Sequence, residues 1–181
     1  MNGYVQGDPM LCIGCRTCMI ACVVAHEGKR IFEIDADGYD FHPKLQVVKT
    51  WNVSVPVQCK HCENPACLAV CKSEAISRRN GAVRVNRDKC IGCKSCAEAC
   101  PFGAIRMVAL GSSDNRDGSP KAVANKCDLC ADDPKGPSCV RVCPTACLRL
   151  IKDDDLSVLL KNKKLATLNT VAQATTAAVT V

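Results

Sequence analysis

The sequence predicts an α+β fold of two small modules whose interior is filled by something other than large side chains. Three observations predict it. Cysteine supplies 17 of 181 residues, far above ordinary usage. The cysteines recur in four groups of nearly one spacing, and short alternating segments with turn signals lie between the groups. The only aromatic residues are Tyr4, Phe32, Tyr39, Phe41, Trp51 and Phe102, although the chain is 48% hydrophobic. Large rings normally supply much of a core's buried area, so whatever the cysteines hold is the candidate filling.

Cys12, Cys15, Cys18 and Cys22 read C-x2-C-x2-C-x3-C, and Cys90, Cys93, Cys96 and Cys100 repeat this, ending in Pro101. Cys59, Cys62, Cys67 and Cys71 widen the middle gap to four residues, and Cys127, Cys130, Cys139 and Cys143, followed by Pro144, widen it to eight. Three cysteines at two-residue gaps let a tight loop wrap one face of a cubane [4Fe–4S] cluster. They put thiolates on three irons while backbone N–H groups point at the sulfides. The fourth, three residues on and expected to open a short helix, points away from the loop and ligates a neighbouring cluster, so motifs work in pairs. Four complete groups imply four [4Fe–4S] clusters, with no missing ligand to suggest a three-iron centre or histidine ligation. Cys147 is left over and reads as a small buried apolar residue.

Two other readings of the cysteines are weaker. Tetrahedral zinc wants two well-separated pairs, not a third cysteine after two residues followed by C-P. A disulfide framework needs an oxidising compartment, and residues 1–9 lack the basic start and apolar run of an export signal, so a cytoplasmic location is expected. No run of about 18 apolar residues is present; residues 165–181 are interrupted by Asn169, Gln173 and five threonines, so the chain is not expected to span a membrane. The formal net charge is +6. Four oxidised clusters with their thiolates add about −8 and bring the loaded protein to about −2, so a nucleic-acid partner is not expected.

Phosphate-cradling G-x-G-x-x-G and G-x4-G-K-[ST] runs are absent, which argues against a bound flavin or nicotinamide. No nucleophile has a plausible base and orienting partner. His26 and His42 read as surface or loop residues, and His61, between Cys59 and Cys62, as packing or hydrogen-bonding beside a cluster. Catalysis is therefore expected in other subunits.

Residues 75–85 form two short alternating segments joined by Asn80 and Gly81, a hairpin signal, and 104–110 read as a closing strand. Motifs two and three with this hairpin resemble a complete bacterial two-cluster ferredoxin. Motifs one and four then make a second module into which the first is inserted, with residues 111–120 as a turn-rich return linker. Spacing alone leaves sequential pairing open, motif one with two and three with four. Beyond the last motif, Asp153, Asp154 and Asp155 look like an acidic helix start. Leu156, Leu159, Leu160, Leu165, Leu168, Val171 and Ala172 form one helical stripe, expected either to dock on a partner or link copies of a complex, or to be a packed or frayed terminus.

Residues 12–24 (CIGCRTCMIACVV), 90–102 (CIGCKSCAEACPF), 125–130 (NKCDLC) and 136–144 (GPSCVRVCP) resemble the four-cluster electron-transfer subunits that accompany molybdenum or tungsten pterin oxidoreductases. The resemblance covers residues 1–152. Within that family the small iron–sulfur subunits of formate hydrogenlyase and of hydrogen-dependent CO2 reductase are most similar. The resemblance implies two bacterial-ferredoxin-like modules, one inserted in the other: an outer module of residues 1–50 plus 121–152, an inner module of 51–110, a linker of 111–120 and a tail of 153–181. It implies that cluster 1 is held by Cys12, Cys15, Cys18 and Cys143, and cluster 2 by Cys59, Cys62, Cys67 and Cys100. Cluster 3 falls to Cys71, Cys90, Cys93 and Cys96, and cluster 4 to Cys22, Cys127, Cys130 and Cys139. It further implies a relay between a molybdenum or tungsten formate dehydrogenase and a hydrogenase or other iron–sulfur subunit. Partners of the dimethyl sulfoxide reductase or carbon monoxide dehydrogenase type use nearly the same cysteine plan, and a free soluble polyferredoxin is a further alternative. One departure from the family pattern is Lys72 after Cys71, where motif-two runs usually continue with proline; it is expected to bring a cation near a cluster and raise its reduction potential.

Overall fold

The computed structural model describes residues 3–28, 41–114 and 120–178. In chain order its elements are β1 (Tyr4–Gly7), α1 (Thr17–Glu27), β2 (Gln46–Lys49), β3 (Ser54–Val57), α2 (Ala66–Ala69), β4 (Ile76–Arg79) and β5 (Ala82–Val85). They continue with α3 (Ser95–Glu98), β6 (Arg106–Asp114), β7 (Pro120–Asn125), α4 (Ser138–Arg141), β8 (Leu148–Ile151) and α5 (Asp153–Ala178). This mixture of helices and small sheets is the expected α+β class.

The strands form antiparallel two-stranded ribbons, β1 with β8, β2 with β3, β4 with β5 and β6 with β7. A two-stranded ribbon cannot bury a sheet face alone, so each must pack against the rest of the chain. In the β4–β5 ribbon Asn80 and Gly81 have φ of 51° and 71°, the left-handed pair that a two-residue turn matched to strand twist requires. The β1–β8 ribbon joins the segment before motif one to the segment after motif four, pairing Tyr4 with Ile151 and Gly7 with Leu148. Helix α1 packs on α4 and α2 on α3. The buried side chains divide accordingly. One group gathers Cys67, Ala75, Ile76, Val83, Cys90, Cys96, Ile105, Val108, Val123 and Ala124. The other gathers Val5, Cys18, Cys22, Leu45, Val47, Cys139, Cys147 and Leu148. Both consist of small aliphatics and sulfur. Trp51, Phe41 and Phe102 are exposed; Phe32 and Tyr39 lie outside the described residues.

Two details differ from the expectation. The fourth cysteine does not open a short helix: the third cysteine is the second residue of the helix in every motif. Cys71, Cys100 and Cys143 follow the C-caps Val70, Ala99 and Val142, while Cys22 lies inside the longer α1. Third and fourth cysteines are thus one helical turn apart, the i to i+4 relation that a three-residue gap gives once the segment is helical. The described residues of the expected linker are also strand. Residues 111–114 continue β6 and Pro120 opens β7, with a register shift between Leu110 and Asp114; residues 115–119 lie outside the described residues. Proline is tolerated as the first residue of a strand, which its turn-like appearance in sequence conceals.

The tail is helical, as its stripe predicts. Leu156 N–H bonds the carbonyl of Lys152, and Asp155 accepts from the Lys152 N–H at 3.0 Å, the reciprocal half of a capping box. Leu156, Leu159 and Leu160 line a groove of about 330 Å³ against Tyr4, Arg149 and Ile151 of the β1–β8 ribbon. Leu165 and Leu168 are exposed. Among the described residues no helix is long and apolar enough to cross a membrane.

Candidate metal centres

Each motif begins with a tight loop whose backbone turns left-handed just before the second cysteine: Gly14, His61, Gly92 and Leu129 have φ of 70°, 49°, 71° and 62°. At Gly92 the requirement is absolute, because a Cβ would stand 2.4 Å from the Ala122 carbonyl oxygen of β7. The turn aims backbone donors at sulfur. His61 N–H reaches Cys59 Sγ and Leu129 N–H reaches Cys127 Sγ, both at 3.4 Å. Donors from farther along the chain do the same, Lys44 N–H to Cys22 Sγ at 3.4 Å, Ala104 N–H to Cys100 Sγ at 3.4 Å and Ala124 N–H to Cys90 Sγ at 3.5 Å. In motif one the Thr17 hydroxyl donates to Cys15 Sγ at 3.4 Å, and Ser95 does the same for Cys93, holding both thiols below their ordinary range.

All seventeen cysteines are unbridged. Thiols that act on one another electrostatically gather into four neighbourhoods, with Cys67 also feeling Cys96 and Cys139 also feeling Cys18 across them. Cys15 and Cys18 both feel Cys143. Cys67 feels Cys59 and Cys100, with Cys62 joining this set through its place in the 59–67 loop. Cys96 feels Cys90, Cys71 and Cys93. Cys127 and Cys139 both feel Cys22, and Cys139 also feels Cys130. Burial pushes Cys18 and Cys67 up to about 11 and Cys139 up to about 12. Such thiols stay protonated in water until a metal displaces the proton. Sulfur donors in fours, with N–H groups already directed at them, suit thiolate-held iron–sulfur cubanes better than isolated tetrahedral ions.

The remaining residues singled out from sequence fall as follows. Cys147 is buried, as expected, and its Sγ lies 3.6 Å from Cys143 Sγ, within hydrogen-bond reach, so it is a neighbour of a ligand candidate and not only packing. His61 is 1% exposed, and its Nδ1 accepts from Val83 N–H at 3.0 Å. Burial, reinforced by the nearby Lys126 ammonium, pushes its pKa down to about 3, so it is neutral beside motif two. His42 lies in a partly buried loop. Lys72 acts on Cys93, lowering its pKa behind the stronger effect of Ser95, so the expected cation does approach motif three.

His26 departs from the surface reading. Its Nε2 lies 3.0 Å from Asp128 Oδ1, and its Nδ1 lies 2.6 Å from the Cys22 carbonyl oxygen. Asp128 also accepts from Lys44 Nζ at 2.6 Å and from Cys130 N–H at 3.1 Å. Burial alone would lower the His26 pKa; the bonds to Asp128 and Cys22 overcome this and raise it to about 10. The missed signal is its spacing: His26 stands four residues after Cys22 and so shares its helical face. Lys126, buried at 3% exposed, gave no signal beyond adjacency to Cys127.

Residues 50–153 match the family described as a 4Fe-4S dicluster domain. The chain belongs to that family. Hydrogenase-4 component A of Escherichia coli K12 is 39% identical over 91% of this chain and 89% of its own length. The electron transport protein HydN of the same strain is 39% identical over 91% and 96%, and formate hydrogenlyase subunit 2 is 38% identical over 94% and 92%. AegA of that strain is 40% identical, but the chain spans only 24% of its length. The dicluster family thus supplies the [4Fe–4S] chemistry that the cysteine spacing predicts.

Proposed function

We propose that this chain is a non-catalytic subunit that relays electrons through four [4Fe–4S] clusters. It works within a multi-subunit complex, between a molybdenum or tungsten formate dehydrogenase and a hydrogenase. The carrying observation is the crosswise grouping of thiols, in which Cys143 stands with Cys15 and Cys18 while Cys22 stands with Cys127 and Cys139. The ligand sets are then Cys12, Cys15, Cys18 and Cys143; Cys22, Cys127, Cys130 and Cys139; Cys59, Cys62, Cys67 and Cys100; and Cys71, Cys90, Cys93 and Cys96. The dicluster match spans twelve of these cysteines, more than two cubanes use, and motif one completes sixteen. When bound, each cluster accepts and releases one electron.

The chain's own residues hold the thiols in register, donate N–H groups to sulfur and exclude water, the means by which a protein sets cluster potentials. Cys15 and Cys93 are the exposed thiols. Beside them Ile13 and Ile91 are 67% and 66% exposed, giving two apolar contact points suited to partner docking. The relatives' names, hydrogenase-4 component A, HydN and formate hydrogenlyase subunit 2, support the choice of partners. Unbridged thiols favour the cytoplasm.

Purification of the native assembly without air tests this reading. The expectation is about sixteen irons and as many sulfides per chain, with a pterin enzyme and a hydrogenase among the companion chains. About eight irons per chain would end the four-cluster assignment, and companions lacking either enzyme would end the choice of partners.

A further inference from the structure

Lys126 is a buried cation with an incomplete set of counter-charges. It is 3% exposed, and among the described residues its ammonium forms no ion pair. It donates instead to the carbonyl oxygens of Val83 and of Cys127, the latter at 2.7 Å. The nearest buried carboxylate in sequence, Asp128, is already engaged by His26 and Lys44. Two carbonyl dipoles do not by themselves offset the desolvation of a buried ammonium. A net negative group nearby is needed.

The surroundings say which groups those are. From the chain segment preceding motif four, Lys126 sends its ammonium to Val83 of β5, whose N–H bonds His61 of motif two. The charge acts on the Cys67 thiol, and the ammonium sits on the carbonyl oxygen of Cys127. These cysteines belong to different ligand sets, one with Cys59, Cys62 and Cys100, the other with Cys22, Cys130 and Cys139. The exposed thiols Cys15 and Cys93 belong to the remaining two sets. His61, neutral and accepting through Nδ1, adds no second cation.

Resting on the four-cluster reading, we infer that Lys126 is the fixed positive charge between the two middle sites of the relay, stabilising an added electron there relative to the exposed end sites. An electron arriving from a neighbouring site takes a cubane with its thiolates from about −2 to about −3, with no proton or bond exchanged. Attraction to a fixed cation therefore grows on reduction. The relay order becomes the Cys15 site, the Cys127 site, the Cys67 site and the Cys93 site. Lys126 keeps the middle pair from being a barrier to passage between the two exposed ends.

Potentiometric titration of the anaerobically purified complex, followed by electron paramagnetic resonance, tests this with Lys126→Gln and Lys126→Arg. In the glutamine variant, at unchanged iron content, two of the four sites should fall by about tenfold in their redox equilibrium, about 59 mV for one electron. The arginine variant should keep the wild-type values. Unchanged potentials in a sixteen-iron glutamine variant, or the same fall in both variants, overturns the inference alone. If the glutamine variant fails to load, the wild-type protein decides: at two electrons per chain, added as dithionite, the spins should sit on neighbouring sites and broaden each other. Two narrow, isolated spectra would overturn the inference. A wild-type chain with about eight irons ends the four-cluster reading and this inference with it.

Discussion

Gly92 and Gly81 separate two reasons for a glycine. Both have φ of 71°, but a Cβ on Gly92 would meet the Ala122 carbonyl oxygen at 2.4 Å, whereas one on Gly81 meets nothing within 4 Å. Gly81→Ala should therefore cost only the left-handed backbone penalty, about 1–2 kcal/mol. Gly92→Ala should add displacement of β7, costing about 3 kcal/mol or more and loosening the loop that carries Cys90 and Cys93. Thermal melts and iron counts of the two loaded variants check this, and equal losses would contradict it. Lys72→Ala should lower the potential of the exposed Cys93 site without changing iron content, because the lysine acts on that thiol; an unaltered redox titration would remove the role. His26 offers a pH test. Its pKa is raised from 6.5 to about 10, so its contribution is fully present below about pH 6.5 and fades as pH rises through about 10. His26→Ala should cost about 2 kcal/mol, typical of a charge-assisted bond, with a melting difference from wild type that persists to neutral pH and closes toward pH 11.

At the scale of elements, the hairpin over 75–85 and the tail helix were legible because their signals are local: a turn dipeptide between alternating segments, and a stripe behind an acidic start. The ribbons that cross the expected boundaries were not. The β2–β3 ribbon straddles the expected boundary at residues 50 and 51, and the β6–β7 ribbon straddles the expected linker. Val123 and Ala124 of β7 pack with the residues of motifs two and three. A glycine- and serine-rich run reads as turn when its strand partner is unknown, and pairing across such a gap is a long-range fact. In α5, Leu156, Leu159, Leu160 and Lys163 line the groove against the β1–β8 ribbon, whereas Leu165 and Leu168 are exposed. Truncation after Lys164 should leave melting temperature and iron content unchanged while diminishing any assembly that uses Leu165 and Leu168. Truncation after Lys152 should lower stability as well. Size-exclusion chromatography beside thermal melts distinguishes the two outcomes, and an unchanged complex size for both would end the docking role of the tail.

For the whole molecule, the described aromatics leave the core to aliphatics and sulfur, so folding and cluster loading should be one event. Burial raises Cys18, Cys67 and Cys139 above the ordinary thiol value of 9.0. In the empty chain these protonated thiols favour the compact form below about pH 9, an advantage lost as pH rises through about 11 to 12. Iron competes for the same protons, so loading runs opposite: reconstitution with iron and sulfide should release protons and be more complete at pH 8.5 than at pH 6.5. Absorbance of the thiolate-to-iron bands and proton release into weak buffer measure this, and a flat pH profile would contradict it. Removal of iron by a chelator should abolish the melting transition.

By itself the sequence determined the class of cofactor and the four cysteine groups with their spacing. These follow from spacing and from residue types a few positions apart. Which motif joins which was open on spacing alone, because loop closure over a hundred residues leaves no local trace. The β1–β8 pairing and the packing of α1 on α4 and α2 on α3 are tertiary facts, and they favour the inserted arrangement over the sequential one. The same is true of His26 against Asp128 and of Lys126 against the Val83 and Cys127 carbonyl oxygens. A charge's effect depends on what surrounds it in space, and only the folded chain supplies those surroundings.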